Sequence, residues 1–155
     1  MAQVETLILA NHAEALNGLL YIHGGGWSHH WRAVGEEQSP PSQFAIAATF
    51  LIDPSELGRD FPVVFRIVSD QGEEIMKAEG PLQAAGKTGP GETYSRAAIA
   101  VNANVVFPHE GPYTISTSIG ETGGSAVVFW VHDQAPPGAH PADPDSDPGT
   151  SGGYL

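Results

Sequence analysis

Apolar residues recur at every second position in short runs along this chain, and almost nowhere at the three-to-four spacing of an amphipathic helix. Over 43–53, Phe44, Ile46, Ala48, Phe50 and Ile52 alternate with Ala45, Ala47, Thr49 and Leu51. That is the period of a pleated strand with one large and one small face, the small one fitted for close approach of another layer. Over 94–107, Ala97, Ile99, Val101, Ala103 and Val105 fall in phase opposite Arg96, Asn102 and Asn104. Shorter runs at 4–10, 19–23, 63–68, 113–119 and 125–131 read as strands too. The run at 73–79 alternates poorly, with Lys77 and Glu79 in phase with Ile75, and is expected at a sheet edge where charge discourages further pairing. Eight strands so spaced predict an all-β fold, an antiparallel two-sheet β-sandwich.

The turn chemistry agrees. Asn17-Gly18 is the pair that a type I′ hairpin turn favours, because both central residues need positive φ. It should fold 19–23 back on 4–10, a first strand apolar on both faces and so expected to be covered. Asp70-Gln71-Gly72 predicts a second hairpin, and Ser55–Leu57 one short helical turn. Gly86-Lys87-Thr88-Gly89 fails the spacing of a phosphate loop and reads as a turn-rich connection.

Composition sharpens the ends and the partners. The 155 residues hold 19 glycines, 13 prolines and no cysteine, which excludes disulfides and thiolate metal sites and suits a reducing compartment. The amino end lacks a basic segment followed by an apolar one, and no apolar run is long enough to span a bilayer, so a cytoplasmic location is expected. Six basic against eighteen acidic residues give a net charge of −12, a surface that repels nucleic acid and anionic lipid. From Asp133 onward prolines and aspartates replace apolar residues, so 1–132 reads as the sandwich domain and 133–155 as a flexible, disordered acidic tail rich in Pro and Gly. Asp143, Asp145 and Asp147 resemble half a calcium loop without its terminal glutamate. The tail ends on Tyr154-Leu155, an apolar tip that a short docking peptide would present.

Side-chain chemistry concentrates in Leu19–Trp31, which reads LLYIHGGGWSHHW. His-Gly-Gly-Gly-Trp looks like the oxyanion-hole strand end of α/β-hydrolases, but the nucleophile elbow G-x-S-x-G and the alternating helices are missing. His23, His29 and His30 are the candidate metal ligands, since imidazole suits zinc, copper or nickel. Adjacent His29 and His30 would point to opposite faces of an extended chain, however, which leaves no converging ligand set, so neither metal nor cofactor is expected. Asp53, Asp60 and Asp70 fall at loop starts and would form a cluster only if the topology gathered them at one end. Trp27, following three glycines, is expected to cap the open end of the sandwich with its N–H bonded to a loop carbonyl. Trp27 and Trp31 are also candidates for an aromatic contact surface.

The pattern Asn17-Gly18-x-Leu20 followed by Gly24-Gly25-Gly26-Trp27, with Ala10 and Ala13 ahead of it, resembles an uncharacterised family of small actinobacterial proteins. Phe107-Pro108 with Gly111-Pro112-Tyr113 is similar to that family's entry to a late strand. The chain departs from the pattern at Asn11-His12, where an acidic residue is usual, and at Leu19, where lysine is usual. The resemblance implies a β-sandwich and brings no activity with it.

These features predict a non-enzymatic binding or scaffold module that works through protein–protein contact or self-association, using loop 24–41, the carboxyl-terminal peptide, or both. Its contact residues are expected to be Trp27, Trp31, Tyr154 and Leu155. The alternative from another class is a metal-dependent or hydrolytic enzyme built on the HGGGWSHHW segment.

Overall fold

A computed structural model of the chain describes residues 1–84 and 89–134. Nine strands lie among them: β1 (Gln3–Leu16), β2 (Leu19–Gly25), β3 (His29–Arg32), β4 (Ser42–Ile52), β5 (Asp60–Ser69), β6 (Glu74–Gln83), β7 (Ser95–Val105), β8 (Gly111–Ile119) and β9 (Thr122–Asp133). One sheet has the order β2-β1-β4-β7 and the other β3-β9-β8-β5-β6. The large-residue faces meet between them, so that Leu9, Phe44, Ile46, Phe50 and Ile52 of the first sheet share one core with Val63, Phe65, Ile67, Tyr113, Ile115, Phe129 and Val131 of the second. Burial of one alternate set per strand is what makes the period-two pattern a sandwich.

The expected strands are present, with β6 at an edge, but the fold differs from the sequence expectation in three ways. The segment 24–41 is not all loop, because it contains β3. The sheets are not purely antiparallel, because β3 pairs with β9 in parallel, His29 opposite Trp130 and Trp31 opposite His132. Four residues placed between two loops give no alternation long enough to recognise, and a parallel partner a hundred residues away leaves no local turn signal. Third, β1 runs on to Leu16 and bends: Gln3–Ala10 pair with β4, while Ala10–Leu16 pair with β2.

That bend explains the small face of β4. Ala10 and Ala13 pack with Ala45 and Ala47 on the side away from the main core, beside Leu20, Ile22 and Ala100. The Asn102 side chain of β7 fixes the curl, its Nδ2 donating to the Ala13 carbonyl at 3.1 Å and its Oδ1 accepting the Ala13 N–H at 3.5 Å. The close second layer is therefore the chain's own β1–β2 hairpin. Its turn has Asn17 at φ 52° and Gly18 at φ 77°, the left-handed pair expected of a type I′ turn.

Other local devices follow their residue types. Asp53 caps a single 3-10 turn at Pro54–Glu56, its carboxylate accepting the Ser55 N–H at 2.9 Å. Asp60 and Asp70 flank the two ends of β5, roughly 30 Å apart at the rise of an extended chain, so the three loop aspartates cannot gather. Residues 85–88 and 135–155, which include Gly86-Lys87-Thr88 of the turn-rich connection and the acidic tail beyond Gln134 with Tyr154 and Leu155, lie outside the described residues. Asp133, expected to begin the tail, instead ends β9, and the Gln134 N–H donates to the Arg32 carbonyl.

Candidate functional site

The three glycines deliver the chain from one sheet to the other. Gly24 (φ 60°) and Gly26 (φ 86°) take conformations a side chain would strain, and the Gly26 N–H closes the β1–β2 ladder on the Leu9 carbonyl at 2.8 Å. Trp27 then turns inward and Ser28 accepts the Trp130 N–H at 2.8 Å, which starts β3 beside β9. From there the alternation of an extended chain sorts the side chains, with His30 and Arg32 facing the core and His29 and Trp31 facing out.

The inward set closes one end of the sandwich. Trp27 meets Phe44 and Phe129 edge-on, ring centroids 5.9 Å apart in both cases. His30 lies between Trp27, Phe44 and Phe107 at 5.4–5.9 Å. The indole does cap the end, but its Nε1, expected to reach a loop carbonyl, is buried without a partner, as is His30 Nε2. Arg32, 8 % exposed, spans three segments, with Nε donating to Asp133 Oδ1 at 2.5 Å and a terminal nitrogen donating to the Phe107 carbonyl. Phe107 in turn meets Tyr113 at 4.9 Å, and the Tyr113 hydroxyl donates to the His109 carbonyl at 2.7 Å. The glycine–tryptophan stretch and the Phe107–Tyr113 stretch therefore meet in space, around one aromatic knot.

Burial among these rings holds the His30 imidazole below its ordinary pKa, because the charged form is poorly solvated there. The unfolded chain, where histidine titrates near 6.5, then takes the proton more readily than the fold. Stability from the neutral ring is complete above that value and declines as the pH falls below it. The thermal midpoint is expected to drop between about pH 7.5 and pH 5, and His30→Leu should flatten that drop; an equal slope in both proteins would exclude His30 as its source.

The outward set forms a ledge. Trp31 is 58 % exposed, and Trp130 and Val128 on β9 are 46 % and 54 % exposed. His29 and His132 stand among them, His29 Nδ1 and His132 Nε2 2.9 Å apart with rings inclined by only 20°. One ring donates an N–H to the bare nitrogen of the other. The His132 ring also lies 5.3 Å from that of Trp31. The outward positions of β3, β9 and β8 from Trp31 across to Ser116 carry no Asp, Glu, Lys or Arg.

The three histidines considered as metal ligands are dispersed: His23 lies opposite His12 on the other sheet, His29 is on the ledge, and His30 is under Trp27. Among the described residues no three His, Asp or Glu side chains form a group that could hold a metal ion. Val128, Trp130 and His132 were missed as surface residues, although their alternation with the apolar Phe129 and Val131 is visible once β9 is read for its outer face. His132 as the partner of His29 carries no sequence signal.

Fold and ledge together define an all-β sandwich domain with an uncharged aromatic patch at one end of its second sheet. The chain belongs to a family of unknown function (DUF6941), whose model matches residues 5–132. No curated protein matches it.

Proposed function

We propose that this protein is a non-enzymatic binding module whose contact surface is the Trp31–Trp130 ledge, with His29, His132 and Val128. The observation that carries this reading is the exposure of two tryptophans on one uncharged face of an otherwise strongly acidic chain. Exposed apolar patches bounded by polar residues mark interaction sites in soluble proteins, and tryptophan dominates interface hot spots. The partner is a protein or a second copy of the chain. A cytoplasmic location fits the cysteine-free composition, and we take the NG-x-L-x-x-x-GGGW pattern as the amino-terminal signature of an actinobacterial branch of the family. Among the described residues no helix is long and apolar enough to cross a membrane.

Each ledge tryptophan is exposed, so its removal should leave the fold intact. A Trp31→Ser/Trp130→Ser variant is expected to keep its melting temperature to within a few degrees while its affinity falls at least ~30-fold, since a hot-spot residue contributes about 2–4 kcal/mol. Affinity purification with mass spectrometry and sedimentation velocity, run on both proteins, read the two possible partners. A partner set and sedimentation coefficient unchanged by the double substitution would refute the ledge as the contact surface.

A further inference from the structure

The edge of the second sheet beyond β3 is open among the described residues, since β9 is the one strand paired with it. Which main-chain groups face that opening follows from the ladder. The Trp130 and Gln134 N–H groups donate to the carbonyls of Ser28 and Arg32 at 2.8 Å, so the even-numbered residues of β3 direct their main chain at β9. The N–H and C=O of one strand residue point the same way, so those of His29 and Trp31 point outward. Natural edges are commonly blunted by charge or proline; β6, at the far edge of the sheet, carries Lys77, Glu79 and Pro81. β3 has no such guard, because its one charged residue, Arg32, is buried.

A cleft of ≈ 650 Å³ lies along this edge, walled on one side by Gly24–Gly26 and on the other by Trp27, His29, His30 and Trp31, with Gln134 at its end. On the glycine wall Gly26 has open space where a Cβ would stand, whereas a Cβ on Gly24 would meet the Asn11 side chain and one on Gly25 that of Ile22. The shape and the unpaired donors and acceptors call for an extended main chain, and the surroundings specify its charge. Glu36 and Glu37 are exposed on the loop that follows β3, and the chain as a whole carries −12.

We infer that the open edge of β3 is a strand-addition site for a basic, extended peptide segment of a partner protein. Its main chain pairs with His29 and Trp31, and its side chains alternate between the two faces, the apolar set lying against Trp31 and the basic set turned to the other side. This rests on the binding-module reading and names the partner class. The test uses the full chain and two capped ten-residue peptides of alternating lysine and valine, one of them N-methylated at alternate residues on its pairing edge. Both carry the same charge, so attraction to an acidic surface alone would bind them equally.

The unmodified peptide is expected to slow amide exchange at His29 and Trp31 at least tenfold and to bind at least tenfold more tightly than the methylated one. Proline is tolerated where a strand N–H faces away from its ladder, so His29→Pro keeps the β3–β9 pairing and removes one outward donor. It should weaken binding several-fold beyond the control His29→Ala, with unchanged exchange at Trp130 and Gln134. Equal binding of the two peptides, or unaltered exchange at His29 and Trp31, would overturn strand addition. The binding-module reading would survive that result if the Trp31→Ser/Trp130→Ser variant still lost its partner, and it would fall separately if that variant did not.

Discussion

Phe129→Ala is expected to destabilise the fold by about 4 kcal/mol, the cost of removing a buried aromatic ring and leaving a cavity. Phe129 is fully buried on β9 and its ring contacts four others, those of Trp27, Phe107 and Tyr113 at 5.9 Å and Phe44 at 6.5 Å. Those partners come from the connection before β3, from β4 and from both sides of the turn into β8, so no single segment can move in to refill the space. Against a total stability of about 5–15 kcal/mol for a domain, the variant should unfold at a much lower urea concentration with an unchanged slope. Phe129→Leu, which keeps most of the volume, should lose less than half as much. Equal losses for the two would mean that the ring cluster does not organise this end of the sandwich.

Arg32→Ala should cost about 2–3 kcal/mol, for a different reason. The guanidinium is buried while its partner Asp133 is 39 % exposed, so solvent moderates the charge term. The larger loss comes from the Phe107 carbonyl, which has Arg32 as a buried donor, and from packing of the aliphatic stem. Arg32→Met restores the stem alone and should recover part of the stability. Asp133→Asn, which keeps a hydrogen-bond acceptor in place, should cost less than 1 kcal/mol. If Asp133→Asn proved as damaging as Arg32→Ala, the exposed ion pair rather than the buried carbonyl bond would be holding β3 in place. Neither arginine variant should alter β4 or β7, because Arg32 reaches only the β3–β9 edge and the turn at Phe107.

The two substitutions also separate what was legible from what was not. Phe129 was readable as core, since it falls in phase within an apolar run, and so were the alternating faces of β4 and β7. Arg32 was not. A lone arginine after Trp31 gives no sign of burial, and its two partners, Phe107 and Asp133, lie 75 and 101 positions away. Trp31 was legible as a candidate contact residue because it is a tryptophan in a polar stretch, but its neighbours on the ledge were not. Trp130 and His132 come from a strand whose register against β3 no local pattern encodes.

Local periodicity and turn chemistry determined the strands, the Asn17-Gly18 hairpin, the all-β class and the acidic surface, because each depends on residues a few positions apart. Only the tertiary structure decided that β3 is a strand, that it runs parallel to β9, and that the β1–β2 hairpin curls over the alanine face. It alone brought His29 against His132 on a ledge with two exposed indoles. Those features depend on contacts between segments as much as a hundred residues apart, and such contacts are selected by the burial of whole faces and not by any short run of sequence.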